Sequence, residues 1–432
     1  MFIHACLGKN EKGHMTIGGV DTVSLAEQYG TPLYAMDEAT IRENCRIYKE
    51  ALRDAYGEDS LPLYASKAFS CKQIYRIAAE EGIGIDLVSP GEMYTALKAG
   101  FPMEKAFFHG NNKTDADLRM SIESGVGYIV VDNTDELTAL ERIASEMGKV
   151  QKILLRITPG IDPHTHQKII TGNVDSKFGN AIVTGQAMAI VKAALACENL
   201  TLEGLHCHIG SQIFDCDPFD DAASIMIGFI ADIKKETGKE MHFLNLGGGF
   251  GVRYVEEHEP IDYAKNIRAI ASHIKALCEE KGVHLPAVLM EPGRSIVAAS
   301  GITLYTVGSV KEIVGFKKYV SIDGGMPDNP RYALYQSPYS VYTANRLNEK
   351  AEYTCTIAGR CCESGDLIAE DVTIAKPVRG DLLAVTTTGA YNYSMASNYN
   401  RIPRPPVVMI QDGDSYVAVA RESYEDLIRN DR

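Results

Sequence analysis

No stretch of this chain approaches the roughly 18 consecutive apolar residues that a helix needs to cross a bilayer. Its first residues, Met1 to Asn10, lack a charged segment followed by a long apolar one. Neither a membrane span nor a secretory leader is expected. Positive charge is also short: 43 Lys and Arg face 57 Asp and Glu, for a net charge of −14. Phosphate backbones are bound by clustered Lys and Arg, so this balance argues against a nucleic-acid surface. The ten cysteines are scattered without framework spacing, and neither His206-Cys207-His208 nor Cys361-Cys362 has the spacing of a zinc pair. A reduced, cytoplasmic protein is expected. Low-complexity segments and obvious repeats are missing too. What remains is an ordinary globular composition, 45% hydrophobic and 23% charged, in 432 residues, enough for two domains and a large core.

The first 36 residues hold two short strand candidates, His14 to Ile17 and Pro32 to Ala35. Asp37 reads as the N-cap of a helix reaching about Tyr56, since Ile41, Cys45, Tyr48 and Leu52 recur at helical spacing. From residue 60 to 292 the pattern becomes strand, loop, helix, repeated. Eight apolar runs carry it: Leu61–Ala65, Gly84–Val88, Ala106–Phe108, Tyr128–Val131, Ile153–Ile157, Leu202–Cys207, Phe243–Leu246 and Ala287–Met290. Eight such units predict a (β/α)8 TIM-type barrel. Just past the run ends stand Lys67, Ser89, Gly110-Asn111-Asn112, Asp132-Asn133, Pro159-Gly160, His208 to Ser211, Gly247-Gly248-Gly249 and Glu291 to Arg294. In a barrel these loops meet on one face, where active sites are built. The stretch from Ile161 to Asn180 is long for such a loop and reads as a lid or active-site segment. Its His164 and His166 lack a cysteine or carboxylate cluster beside them, so no metal is expected. Beyond residue 300 the strand candidates Ile302–Val310, Tyr319–Ile322, Tyr353–Ala358, Leu382–Thr387 and Tyr416–Ala420 predict a mostly β domain. The expected division is a barrel over residues 37–299 and a β-rich domain from residues 1–36 and 300–432.

Lys67 follows a buried run, where a desolvated amine can lose its proton and attack a carbonyl. Three adjacent glycines, Gly247 to Gly249, let backbone amides converge on an anion with no Cβ in the way. The spacing is not G-x-G-x-x-G, so a single phosphate suits it better than a dinucleotide. Glu291-Pro292-Gly293-Arg294 ends the eighth run, and Arg294 can give such a phosphate a charge-assisted bond. An amine, a monophosphate cradle, a carboxylate and a histidine together are what pyridoxal 5'-phosphate needs. Lys67 would form its Schiff base, and the glycines, Ser211 and Arg294 would hold its phosphate. Glu291 would keep the pyridine nitrogen protonated, and His208 would lie on the ring.

From about residue 30 to 405 the chain resembles the diaminopimelate decarboxylase family, in the barrel-type class that also holds ornithine decarboxylase and alanine racemase. The matching signatures are Tyr64-Ala65-Ser66-Lys67-Ala68, His109 to Thr114, His206 to Gln212, the glycine run, Glu291 to Ser295, Arg331 to Tyr335, Cys362-Glu363-Ser364 and Gly389-Ala390-Tyr391. The resemblance implies an alanine racemase-like fold, α/β plus β, and a homodimer with active sites at the subunit interface. It implies Lys67, Asp86, His208, Ser211, Gly247, Gly248, Gly249, Glu291, Gly293, Arg294 and Tyr391 around the cofactor. Arg294, Arg331, Tyr335, Glu363 and Tyr391 would surround the substrate, and Cys362 would be the proton donor, reaching over from the partner subunit. Cys361 makes the choice of cysteine ambiguous on its own; the Glu-Ser-Gly-Asp that follows selects Cys362. Three positions depart from the family's habit: Phe69, Arg360-Cys361 and Asn392.

The activity implied is decarboxylation of meso-2,6-diaminopimelate to L-lysine and CO2. The far end of that substrate is a zwitterion, for which Arg331 and Tyr335 suit the carboxylate and Glu363 the ammonium. The rivals are a decarboxylase of ornithine, lysine or carboxynorspermidine, and a non-catalytic cofactor-binding homologue. A racemase is disfavoured because that branch places an arginine where this chain has Glu291.

Overall fold

The computed structural model describes residues 2–160 and 176–432. Most of the expected lid segment, with His164 and His166, lies outside the described residues. The chain divides into two compact units. One comprises Met1–Glu43, Val252–Pro260 and Arg294–Arg432; the other comprises Asn44–Gly251 and Ile261–Gly293.

The second unit contains the barrel. Its eight strands are Leu61–Ala65, Gly84–Leu87, Ala106–Phe108, Tyr128–Val131, Gln151–Thr158, Leu200–His206, Phe243–Asn245 and Ala287–Met290. Each pairs in parallel with the next, and the eighth returns to the first through Leu289↔Leu61, which closes the ring. Leu61, Leu63, Phe107, Tyr128, Val130, Leu154, Phe243, Ala287 and Leu289 pack into one cluster. Phe107 stacks on Tyr128 at 4.5 Å, and Tyr128 meets Phe243 edge-on at 5.5 Å. The barrel floor is therefore filled rather than hollow. Two strands contribute glycine here for steric reasons. A Cβ on Gly204 would lie 2.3 Å from the Phe243 carbonyl oxygen, and one on Gly84 would lie 2.5 Å from a Leu63 methyl. Lys113 secures the wall further up. Its ammonium reaches the carbonyls of Gly110 and Val130, each at 2.8 Å, and Glu136 at 2.7 Å. All its donors are satisfied although the pair is buried.

The other unit is mostly sheet. Gly301–Ile313 is its spine, pairing with Leu33–Asp37 and Leu382–Thr386 through its first half and with Lys317–Ile322 through its second. Tyr353–Ala358 and Leu367–Ile374 extend one side; Val407–Gln411 and Asp414–Val419 extend the other. A small sheet of Leu7–Lys9, Met15–Ile17 and Val20–Asp21 packs its Met15 and Ile17 with Leu33, Ala35, Ile302 and Leu304.

Asp328 is buried in this unit. Its carboxylate accepts bonds from the Tyr305 hydroxyl and, at 3.0 Å, the Gly325 amide. Burial, despite those bonds, pushes its pKa up to about 7. The native state therefore keeps a proton that the unfolded chain loses near pH 4. The stabilisation is complete at about pH 4 and below and fades as pH rises to 7. The thermal midpoint should decline across that window, and Asp328→Asn should flatten the decline by about 1–4 kcal/mol. An equally steep decline in the variant would assign it to other groups.

Candidate active site

The barrel's chemistry follows from the two-residue period of its strands. Phe107, Val130, Leu154, Phe243 and Leu289 belong to the floor cluster. Two residues beyond them stand His109, Asp132, Arg156, Asn245 and Glu291, and two beyond Gly84 and Gly204 stand Asp86 and His206. Side chains at i and i+2 share a face, so an apolar floor continues upward into a ring of charged and polar groups.

Glu291 is the centre of that ring. Asn245 Nδ2 donates to its Oε1 at 2.8 Å, and Nε2 of His109 and of His206 lie 3.1 and 3.2 Å from the same oxygen. Burial alone would raise the carboxyl's pKa; His109 and His206 outweigh it and hold the group well below the usual carboxylate range. Burial lowers His206 to about 4. Glu291 is thus a fixed anion whose neighbours are polar N–H groups. His109, His206 and Glu291 also offer three ligand atoms within 4.8 Å of one another. Nε2 of both imidazoles lies near one carboxylate oxygen, and His109 Nε2 makes no hydrogen bond there.

Lys67 lies in a 3₁₀ turn, Ser66–Ala68, directly after the first strand. Its charge is felt at Asp86 and at His208. Asp86 is buried on the second strand, 3.7 Å from His109 Nε2, and burial raises its pKa against the pull of His109 and Lys67. His208 follows the sixth strand; burial first and the Lys67 charge second keep its imidazole well below the usual range, hence neutral. The glycine run follows the seventh strand. A Cβ on Gly248 would lie 2.2 Å from the Glu291 carbonyl oxygen, and one on Gly247 would lie 2.7 Å from that of Cys207. Gly249 has φ +133°, a conformation in which side chains are strained. Ser211 precedes Gln212, which holds φ 60°. Gly293 lies where a Cβ would meet Ala65 at 2.9 Å. Lys67, Asp86, His208, Ser211, the glycine run, Glu291 and Gly293 therefore all stand at the C-terminal ends of barrel strands.

Within the β-rich unit, Arg294, Arg331 and Tyr391 come together. The Arg294 guanidinium lies 4.7 Å and that of Arg331 5.8 Å from the Tyr391 ring centre. Tyr391 holds φ 61°, backbone strain of the kind found at ligand sites. Tyr335 ends the short helix Arg331–Tyr335 that Arg331 begins. Cys362 and Glu363 are exposed on a separate loop. Among the described residues neither is hydrogen-bonded to Arg331 or Tyr391. Their loop is tied down from behind: Asp366 accepts the amides of Met326 at 2.6 Å and Cys361 at 2.7 Å, and Asn400 accepts that of Cys362 at 2.9 Å. Asp366→Asn turns one acceptor into a donor facing an N–H, and should destabilise the loop by about 1–3 kcal/mol. Turnover should fall more than substrate affinity; an unchanged kcat would free Asp366 of that role.

Sequence reasoning singled out neither His109, His206 nor Asn245 as partners of Glu291. The signal was present in the two-residue offset from an apolar strand position. Tyr254 carries no comparable signal.

Residues 38–298 match the family described as "Pyridoxal-dependent decarboxylase, pyridoxal binding domain". With the closed parallel barrel, this makes the protein a barrel-type pyridoxal-dependent decarboxylase. The chain is 48% identical to diaminopimelate decarboxylase of Bacillus subtilis, with 100% of this chain and 98% of that one covered. It is 44% identical to that of Staphylococcus aureus, over 98% of each. The crystal structure of diaminopimelate decarboxylase from M. jannaschii in co-complex with L-lysine matches with a TM-score of 0.93 at 36% identity, covering 100% of this chain and 99% of that one. The chain belongs to the diaminopimelate decarboxylase family. Its residues fit the pyridoxal phosphate of that class: a buried anion, Glu291, for a cationic ring nitrogen, and three adjacent glycines at a strand end, which put no Cβ between their amides and an anion.

Proposed function

We propose that this chain removes CO2 from the D-centre of meso-2,6-diaminopimelate and releases L-lysine, the last step of lysine biosynthesis. The observation that carries the substrate choice is the pairing of Arg294 with Arg331, which share the Tyr254 hydroxyl at 2.9 and 2.8 Å. Two guanidinium groups suit a carboxylate at the far end of the substrate; a bare ammonium there would be repelled.

Lys67 is the attachment point of the cofactor and afterwards the amine that frees the product. Pyridoxal phosphate, when bound, supplies a sink for the electron pair left at Cα as CO2 departs. Glu291 stays ionised and holds the ring nitrogen's proton. His208, neutral, offers a flat face for the ring without adding charge. The glycine run, Ser211, Gly293 and Arg294 hold the phosphate, with Asp86 and Tyr391 completing the surround. Arg331 and Tyr335, with Arg294, take the distal carboxylate, and Glu363 takes the distal ammonium. Gripping both ends fixes the scissile bond's orientation, which is where much of the rate advantage of such a site arises. Cys362 returns a proton to Cα.

Cys362 and Glu363 are exposed in the single chain, which supports a homodimer in which each site borrows them from the partner subunit. All ten cysteines are free thiols, five of them exposed or half-exposed, in keeping with a cytoplasmic setting. Incubation of the protein and cofactor with diaminopimelate, ornithine, lysine and carboxynorspermidine tests the whole reading. CO2 and L-lysine should form from the first alone; preferred release from another would transfer the function to that substrate.

A further inference from the structure

The reaction as proposed uses Arg294 and Arg331 but leaves unexplained what keeps two like charges together in a buried place. Both are buried, as are Tyr254 and Tyr339. Arg294 Nη1 donates to Tyr254 Oη at 2.9 Å and Arg331 Nη1 donates to the same oxygen at 2.8 Å. A phenol oxygen accepts about two such bonds, so this one is committed on both sides to guanidinium donors. Arg331 Nη1 also reaches Tyr339 Oη at 3.4 Å, and the Tyr339 hydroxyl donates to Asn392 Oδ1 at 3.4 Å. Tyr254 and Tyr339 pack edge-on at 5.6 Å. The Arg331 guanidinium lies 5.2 Å from the Tyr254 ring centre. Arg331 thus rests on phenols, and a neutral phenol orients a guanidinium without cancelling its charge.

Resting on the substrate reading above, we propose that Tyr254 is the positioning residue that spaces Arg294 and Arg331 into a bidentate receptor for the substrate's distal carboxylate, and so sets selectivity for substrates that carry one. The groups facing its hydroxyl are Arg294, Arg331, Tyr339 and, beyond the guanidinium groups, Tyr391; His258 accepts its backbone amide. Burial would raise the Tyr254 pKa, but the two guanidinium charges outweigh it and bring it below the usual phenol range. A phenolate there would neutralise part of the positive charge that a carboxylate needs. Distal-carboxylate binding should therefore weaken as pH rises through the ionisation of Tyr254, and bound carboxylate should in turn favour the protonated phenol.

The test uses the cofactor-loaded enzyme and its Tyr254→Phe variant, with L-lysine and 1,5-diaminopentane as inhibitors. L-Lysine keeps the distal carboxylate of the substrate; the diamine lacks it. In the variant, KM for diaminopimelate and the inhibition constant of L-lysine should rise together by about tenfold, the scale of a lost hydrogen bond to a charged group. The inhibition constant of the diamine, measured at saturating cofactor, should stay within about threefold, a difference too small to represent a lost charged hydrogen bond. The alkaline rise of KM seen in the wild type should diminish in the variant. Equal weakening of L-lysine and the diamine, or a fall in kcat with KM unchanged, would overturn the proposal. Should Tyr254→Phe fail to fold, Tyr339→Phe gives the same comparison through the second phenol on Arg331, with a smaller expected split; no split in either variant overturns it. Failure of the substrate reading itself shows separately, as a wild type that releases no CO2 from diaminopimelate.

Discussion

Lys67→Ala should bind pyridoxal phosphate only reversibly and lose at least about a thousandfold in turnover, the scale seen when a covalent catalyst is removed. The expectation rests on where the sequence puts this amine. It sits in the 3₁₀ turn that ends the first barrel strand, close enough for its charge to act on both Asp86 and His208. Lys67→Arg keeps the charge but not the chemistry, because a guanidinium does not deprotonate in proteins and so cannot become a nucleophile. Borohydride should therefore fix the cofactor to the wild type and to neither variant. Fixation in Lys67→Ala, at another lysine, would move the attachment point and dismantle the proposed site.

Cys362→Ala should cut turnover by about a hundredfold or more, within the range that a positioned acid contributes, while leaving cofactor attachment intact. Cys361→Ala should change little. Burial and the adjacent Asp366 push the Cys361 thiol up to about 12, which makes it a weak proton donor. The shared-site reading adds a sharper result. When Lys67→Ala and Cys362→Ala subunits are mixed and allowed to exchange, half of the dimers become hybrids. Each hybrid contains one site with both residues intact, so activity should recover to about a quarter of the wild type. If each site draws both residues from one chain, mixing inactive proteins recovers nothing.

Much of this arrangement was legible in the chain. The runs Leu61–Ala65, Ala106–Phe108, Tyr128–Val131 and Ala287–Met290 carry the same bounds as observed strands, because buried parallel strands read as short apolar runs ended by turn residues. Leu367–Ile374 and Val407–Gln411 escaped notice. The first follows directly on the Cys362 loop and mixes Glu370, Asp371 and Thr373 into its outer face. The second follows directly on a Pro-Pro pair, Pro405-Pro406, which reads as a break rather than the start of a strand. Lys67, the glycine run and Glu291 were found because each follows an apolar run. Tyr254 was not: it lies in a segment without periodicity, and its partners Arg294 and Arg331 are 40 and 77 residues away. A bridging phenol is defined by what converges on it, which no local pattern records.

The two-residue offset between floor and chemistry has a consequence for how this barrel tolerates change in length. Deleting one residue within Ala106–Phe108 or Ala287–Met290 would swing His109 or Glu291 to the outer wall while preserving composition almost entirely. Deletions inside the strands should thus be far more damaging than point substitutions at the same places. Added length is absorbed best in the turns at the opposite end of the barrel, such as that at Gly57, whose absent side chain would meet nothing within 4 Å.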